Sequence, residues 1–392
     1  MIDEPLTMIP GPTPVHPRIL AALARPTVSH VAPAFARTFA QALRDFRELC
    51  QSGSGRPFVV AGSGTLAMEM ALVNVVAPGQ TVLVILHGYF GDRYAELASA
   101  FGIRCDVLRS EWGRAVSPPE LARKLATGSY AAVTITHVDT STGTAAPVAA
   151  YCDVLHGRDE LVILDGVCAT GGIDEPFDRW GIDVLLTAAQ KAIGAPPGLA
   201  LCLFSERAMQ SRRALPSVPA YYADILRWLG VMEEPTRYYS TPCVNEIVAL
   251  SEALRIVHEE GLPVRFARHA RTARAVRAGL EALGLKPFTA SDCRADTLSV
   301  VLLPSGVDDA TFRKGTAARG VVVAGCLGPL AGKAFRLGHM GNIGPAEVVV
   351  TLEAIEQSLR DLGLDVAPGT AVGAAAGFLV TVQDEQALFT PA

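Results

Sequence analysis

The chain has 392 residues, half of them hydrophobic and 19% charged, with 34 Lys and Arg against 39 Asp and Glu for a net charge of −5. This length suggests about two to three domains, and the composition can bury a large core, which excludes a disordered or fibrous chain. The longest apolar stretches, including the Ala/Gly-rich run at 371–382, fall short of the roughly 18–20 residues a bilayer span needs. Without a basic cluster or interleaved aromatics there is no electrostatic footprint for nucleic acid, so the expected partners are small molecules.

The opening Met1-Ile2-Asp3-Glu4-Pro5 carries acids and no basic region leading into an apolar segment, so no secretory or transit signal is read and the expected location is cytoplasmic. The eight cysteines contain no Cys-x-x-Cys pair and read as free thiols in a reducing compartment. The eight histidines show no His-x-x-x-His spacing and no pairing with cysteine, so no metal site is expected.

From residue 58 to 205, short apolar runs alternate with segments of helical period. The runs at 58–61, 81–86, 103–108, 131–136, 161–165, 183–187 and 199–204 are continuous, as strands buried on both faces require. Helical segments such as 65–76 and 118–126 lie between them. The predicted fold is α/β, with a mostly parallel central sheet flanked by helices. A long helix at 245–260 ends at Gly261-Leu262-Pro263, a glycine-then-proline stop. Beyond it come helix 263–283, strand 297–303, helix 310–319, strand 320–324, strand 334–339 and helix 345–362, a smaller C-terminal α+β domain. The expected organisation is an N-terminal arm at 1–15, a large ligand-binding domain at 16–260, a small domain at 261–364 and an extension at 365–392.

In open parallel sheets, ligands bind beyond the carboxyl ends of the strands. The first such end is Ala61-Gly62-Ser63-Gly64-Thr65-Leu66, where glycines allow close approach, hydroxyls donate, and a helix start offers unpaired N–H groups to a phosphate. Gly62, Gly64 and Ala67 also match the dinucleotide pattern Gly-x-Gly-x-x-Ala. The next strand, however, ends in Leu86-His87-Gly88 rather than in the acid that would hold a ribose. The run Leu161-Val162-Ile163-Leu164-Asp165-Gly166 places a carboxylate at the end of a fully apolar strand, where burial is costly unless a cation meets it. Only five of the basic residues are lysines, Lys124, Lys191, Lys286, Lys314 and Lys333, and of these Lys191 alone directly follows a predicted central strand. A phosphate cradle, a buried carboxylate and an amine at neighbouring strand ends together suit pyridoxal phosphate. The amine would carry the cofactor covalently, and the carboxylate would keep the pyridine nitrogen protonated so that the ring acts as an electron sink.

Gly62-Ser63-Gly64-Thr65, His137-Val138-Asp139-Thr140-Ser141-Thr142-Gly143, Asp165-Gly166-Val167, Gln190-Lys191 with Ala195-Pro196-Pro197-Gly198, and Phe335-Arg336-Leu337-Gly338 resemble fold-type I pyridoxal phosphate enzymes. The likeness is to class V aminotransferases of the alanine–glyoxylate and serine–glyoxylate group, and it runs from Pro10-Gly11-Pro12 to about residue 362. Gly338-His339-Met340-Gly341 and the long tail are also similar to pyridoxamine–pyruvate aminotransferase, which lacks the phosphate cradle that is intact here.

The resemblance implies a homodimer with active sites at the interface and ping-pong transfer of an amino group from an alanine- or serine-type donor to glyoxylate or pyruvate. It implies that Lys191 holds the cofactor and then moves a proton, that Asp165 pairs with the pyridine nitrogen, and that Val167 packs under the ring. Phe90 would stack on the ring where Trp is common, and Ser141 would bond near the ring hydroxyl. Ser63, Gly64, Thr65 and Gln190 would hold the phosphate, joined by Tyr238 and Thr241 across the interface. Arg336, with Gly11 beside it, would grip the substrate carboxylate. The rival enzymatic reading is a cysteine desulfurase or β-lyase using Cys326, although Gly325-Cys326-Leu327-Gly328-Pro329 reads as a glycine-rich turn around a buried thiol. A ligand-sensing module would need a helix-turn-helix segment, and none is read before residue 10.

Overall fold

The computed structural model of the chain describes residues 5–379. Seven strands form the central sheet, in the spatial order Arg56–Ala61, Leu199–Phe204, Val184–Ala188, Leu161–Asp165, Ala132–Thr136, Thr81–Leu86 and Arg104–Arg109. All neighbours are parallel except those of Leu199–Phe204, which runs antiparallel to both of its own. That reversal follows from chain length. The link from Ala188 to Leu199 contains no helix, and a parallel return needs a crossover of about a dozen residues or more. Ala132–Thr136, Leu161–Asp165, Val184–Ala188 and Leu199–Phe204 are buried at every position, whereas the edge strand Arg104–Arg109 keeps an exposed arginine at each end. Covered central strands and charged edges are the usual division of labour in such sheets.

Helix starts are set by local chemistry. Helix Pro118–Thr127 opens with Pro118 behind a reciprocal cap, in which the Ser117 hydroxyl accepts from Glu120 N and the Glu120 carboxylate accepts from Ser117 N. A second, antiparallel sheet runs Lys286–Pro287, Leu298–Leu302, Ala334–Gly338, Ala324–Gly325. It is packed by helices Leu262–Ala282, Asp309–Ala318 and Pro345–Asp361 around its own core, where the Phe312 and Phe335 rings lie 4.8 Å apart.

The single strand anticipated at 320–324 is two short ones, because the chain changes partner at Val323. Val321–Val322 pairs in parallel with the N-terminal strand Leu6–Thr7, and Ala324–Gly325 pairs with Ala334–Gly338. In the C-terminal extension, helix Thr370–Ala375 packs on Leu262–Ala282, and residues 380–392 lie outside the described residues. Among the described residues no helix is long and apolar enough to cross a membrane.

Two features tie the second sheet to the loops of the first. Cys168 and Ala192, from loops of the central sheet, share an apolar cluster with Leu298 and Val300. Beside it Arg265, almost fully buried on helix Leu262–Ala282, donates to Gly171 O at 2.7 Å and Ala192 O at 2.5 Å, and pairs with Glu260 at 2.7 Å. Burial pulls its pKa down to about 10, so it stays charged at neutral pH while it clamps the segment that follows Lys191.

Candidate active site

The carboxyl ends of Leu161–Asp165 and Val184–Ala188 are neighbours, and the loops leaving them meet the start of helix Gly64–Val73 around a cavity of about 180 Å3. Of the residues anticipated from sequence, Ser63, Gly64, Thr65, Phe90, Asp165, Val167, Gln190 and Lys191 line this cavity.

Lys191 lies in the turn that follows Val184–Ala188. Its backbone is fixed from the N-terminal arm: Thr13 N donates to Gln190 O at 3.1 Å and the Thr13 hydroxyl donates to Lys191 O at 3.0 Å. The Lys191 amine donates to Pro10 O. Gly11 brings the arm past this side chain at φ +115°, and a Cβ there would lie 2.5 Å from Lys191 Cδ. Only glycine combines that backbone with that approach.

Asp165 ends its strand almost completely buried. One carboxylate oxygen accepts from Val167 N at 2.9 Å. Burial pushes its pKa up to about 7. The Val167 N–H and Lys191 pull the other way, while Asp139 and Glu175 add to the rise. Glu175 belongs to a buried group behind the strand, bonded to His137 Nδ1 at 2.6 Å and to the Thr170 hydroxyl at 2.6 Å. His137 thus backs the site rather than lining it, and its backbone N–H donates to the backbone Asp165 O at 2.9 Å.

The helix start is built to receive an anion. Ser63 takes the extended N-cap backbone, yet its hydroxyl makes no capping bond, so the first N–H groups of the helix have no side-chain cap where Ser63, Gly64 and Thr65 line the cavity. Arg93, which sequence reading missed, also lines the cavity. Its Nη1 donates to Thr65 Oγ1 at 3.3 Å, and its guanidinium lies 5.0 Å from the Phe90 ring centroid. Among the described residues it meets no carboxylate. The available signal was spacing: Phe90 and Arg93 are three apart in helix Tyr89–Ala100 and share a face.

Ser141 is placed differently from the expectation. It is fully buried and does not line the cavity. Its hydroxyl donates to Asp139 Oδ1 at 2.6 Å and accepts from Tyr89 N at 3.0 Å, while Asp139 Oδ2 accepts from Phe90 N at 3.1 Å. Asp139 and Ser141 together cap the helix that presents Phe90 and Arg93, and burial raises the Asp139 pKa. The contact is close, since a Cβ on Gly88 would fall 2.5 Å from the Ser141 hydroxyl and 2.6 Å from the carboxylate.

Arg336 lies inside strand Ala334–Gly338, half-buried, with Nε donating to Gly325 O at 2.9 Å and Nη1 approaching Thr140 O at 3.4 Å. Thr140 lines the cavity, and among the described residues Arg336 has no acidic partner. Cys326 is buried nearby, and desolvation pushes its pKa up to about 12, which disfavours a thiolate. Tyr238 and Thr241 are exposed and do not line this chain's cavity; the Tyr238 ring meets His30 at 5.5 Å. Among the described residues, Asp45, Glu48 and His258 bring three metal-ligating side chains together, and none of them lines the cavity.

In ligand-free protein, the folded state holds a proton on Asp165 between about pH 4 and about pH 7, where the unfolded chain has released it. Stability is therefore expected to fall as pH rises through that window, by up to about 4 kcal/mol. Asp139, also raised by burial, contributes in the same direction. Urea midpoints measured across the window should show this slope, and Asp165→Asn should remove most of it.

The sequence profile of class-V aminotransferases matches residues 17–329. An uncharacterized aminotransferase of Methanocaldococcus jannaschii is 37% identical over 92% of this chain and 94% of its own length. The crystal structure of ureidoglycine–glyoxylate aminotransferase from Bacillus subtilis superposes with a TM-score of 0.90 at 30% identity, covering 95% of this chain and 97% of that one. The structure of pyridoxamine–pyruvate aminotransferase from Mesorhizobium loti superposes with a TM-score of 0.91 at 28% identity, over 96% and 97%. Enzymes of this family and fold depend in general on pyridoxal phosphate. With an amine and a buried carboxylate meeting at adjacent strand ends beside an open helix start, the chain belongs to the class-V aminotransferases.

Proposed function

We propose that this enzyme uses pyridoxal phosphate to move an amino group from a small amino acid of the alanine or serine type to glyoxylate or pyruvate. The observation that carries the reading is the presence of Lys191 and Asp165 in one cavity that is also lined by the uncapped start of helix Gly64–Val73. The residues present fit the cofactor: a buried carboxylate that needs a cation, a helix start with hydroxyls and no side-chain cap, and a guanidinium that meets no carboxylate among the described residues. When bound, the protonated pyridine ring would withdraw the electrons left at the substrate's Cα as its proton departs.

The other parts of the reaction fall to this chain's own residues. Asp165 would hold the proton on the ring nitrogen. Lys191 would anchor the cofactor and, once displaced, carry the proton taken from Cα. Ser63, Gly64, Thr65, Gln190 and Arg93 would bind the phosphate, and Phe90 and Val167 would hold the ring between them. Arg336 would bind the substrate carboxylate through its two-pronged donor face. The first product would leave before the acceptor binds, so one site serves both half-reactions.

Glyoxylate is favoured by the name of the Bacillus relative and pyruvate by that of the Mesorhizobium one. Use of a free vitamer is opposed by the intact phosphate cradle at Ser63, Gly64 and Thr65, and use of Cys326 as a nucleophile by its buried, protonated thiol. A homodimer is part of the proposal, with Tyr238 and Thr241 reaching the partner's phosphate site. It is supported by the exposed aromatics Tyr221 and Tyr238 and by exposed Leu20, Val28 and Val31. The eight free cysteines support a cytoplasmic location.

Borohydride reduction of the B6-supplemented protein, followed by peptide mass spectrometry, is expected to find the cofactor on Lys191. Lys191→Ala should lose that adduct and lower amino transfer by about a thousandfold or more; turnover at the normal rate would refute the role. Arg93→Gln is expected to weaken retention of pyridoxamine phosphate by roughly 10- to 100-fold in equilibrium dialysis, the size of one lost charge-assisted bond. Unchanged retention would remove Arg93 from the phosphate site.

A further inference from the structure

A larger cavity, of about 430 Å3, lies at the opposite end of strand Arg56–Ala61 from the active site, between helices Pro33–Leu49 and Ile225–Glu233. It shares no lining residue with the catalytic cavity. Three guanidiniums line it, those of Arg44, Arg47 and Arg56, against a single carboxylate, Glu233.

Their charges are poorly matched within the chain. Arg56 Nη1 lies 3.5 Å from Glu233 Oε1, with both side chains nearly half exposed. Arg44 donates to the neutral amide oxygen of Gln41 at 2.5 Å. Arg47 has no side-chain hydrogen bond or ion pair among the described residues, and its Nε is buried without an acceptor. A buried N–H left unpaired is costly and uncommon. Arg44 and Arg47 are also three apart on one helix, where like charges repel. Much of the remaining wall is apolar, supplied in part by Leu43, Leu229 and Met232, with Ser54 and Gly55 beside them. Concave, largely apolar walls with a few converging polar groups describe a small-molecule site, and clustered guanidiniums match the oxygens of a phosphate.

We infer that this second cavity binds a phosphate oxyanion, with Arg47 and Arg56 as its principal ligands and the apolar wall accommodating the organic part of a phosphomonoester. The site stands on its own geometry and does not depend on the chemistry at Lys191.

Calorimetric titration of the cofactor-loaded enzyme, whose own phosphate cradle is then filled, tests this with phenyl phosphate and inorganic phosphate at constant ionic strength. One saturable site per chain is expected, with phenyl phosphate binding more tightly. Equal affinity for both probes would overturn the phosphomonoester assignment, because the apolar wall would then contribute nothing to binding. Arg47→Gln should weaken binding about tenfold or more, the loss of one charge-assisted pair. Arg56→Gln, at an exposed strand start where folding is undisturbed, should weaken it as well, and amino transfer should be unchanged in both. The absence of saturable heat, or identical titrations in wild type and both variants, would overturn the assignment.

Discussion

A carboxylate buried at the end of an apolar strand can remain ionised only where a cation meets it. Asp165 is in that position, and the chain around it supplies one backbone N–H and two further acids, Asp139 and Glu175. Much of the surrounding structure fixes this carboxylate relative to Lys191. The parallel pairing of Leu161–Asp165 with Val184–Ala188 brings the two strand ends together. Thr13 and Arg265 hold the backbone on either side of the lysine from two distant parts of the chain. The N-terminal arm and the second sheet therefore act on the site by fixing where the amine can be.

The same electrostatic logic applies to two arginines, Arg93 in the cavity wall and Arg336, which sits behind Thr140 and does not itself line the cavity. Arg93 and Arg336 are half-buried guanidiniums that meet no carboxylate within the described residues. One stands at the start of helix Gly64–Val73 and the other beside Thr140, so on the proposed reading each offers a cation to an anionic group of the bound molecules.

The placement of Lys191 and Asp165 in one cavity was readable from sequence because buried parallel strands are continuous apolar runs and ligands gather at their carboxyl ends, which reduced five lysines to one. The central strands followed from the same rule, whereas the antiparallel course of Leu199–Phe204 follows from connection length. Arg93 and Asp139 escaped because each looks ordinary in sequence, a helix-surface arginine and a turn acid. Their placement arises when the turn at 137–143 folds against the start of helix Tyr89–Ala100. The resemblance brought Ser141 to the right neighbourhood, but its hydroxyl is engaged by Asp139 and Tyr89. The split of 320–324 into two strands depends on pairing with residues more than 300 positions away in sequence, which no local pattern encodes.

The most direct measurement is the 15N chemical shift of the cofactor's ring nitrogen, recorded with labelled pyridoxal phosphate bound to the wild type and to Asp165→Asn. A protonated nitrogen across the neutral range in the wild type, and an unprotonated one in the variant, is the result this account requires. The same shift in both proteins would show that the buried carboxylate does not hold the ring proton, and the account would fail at its centre.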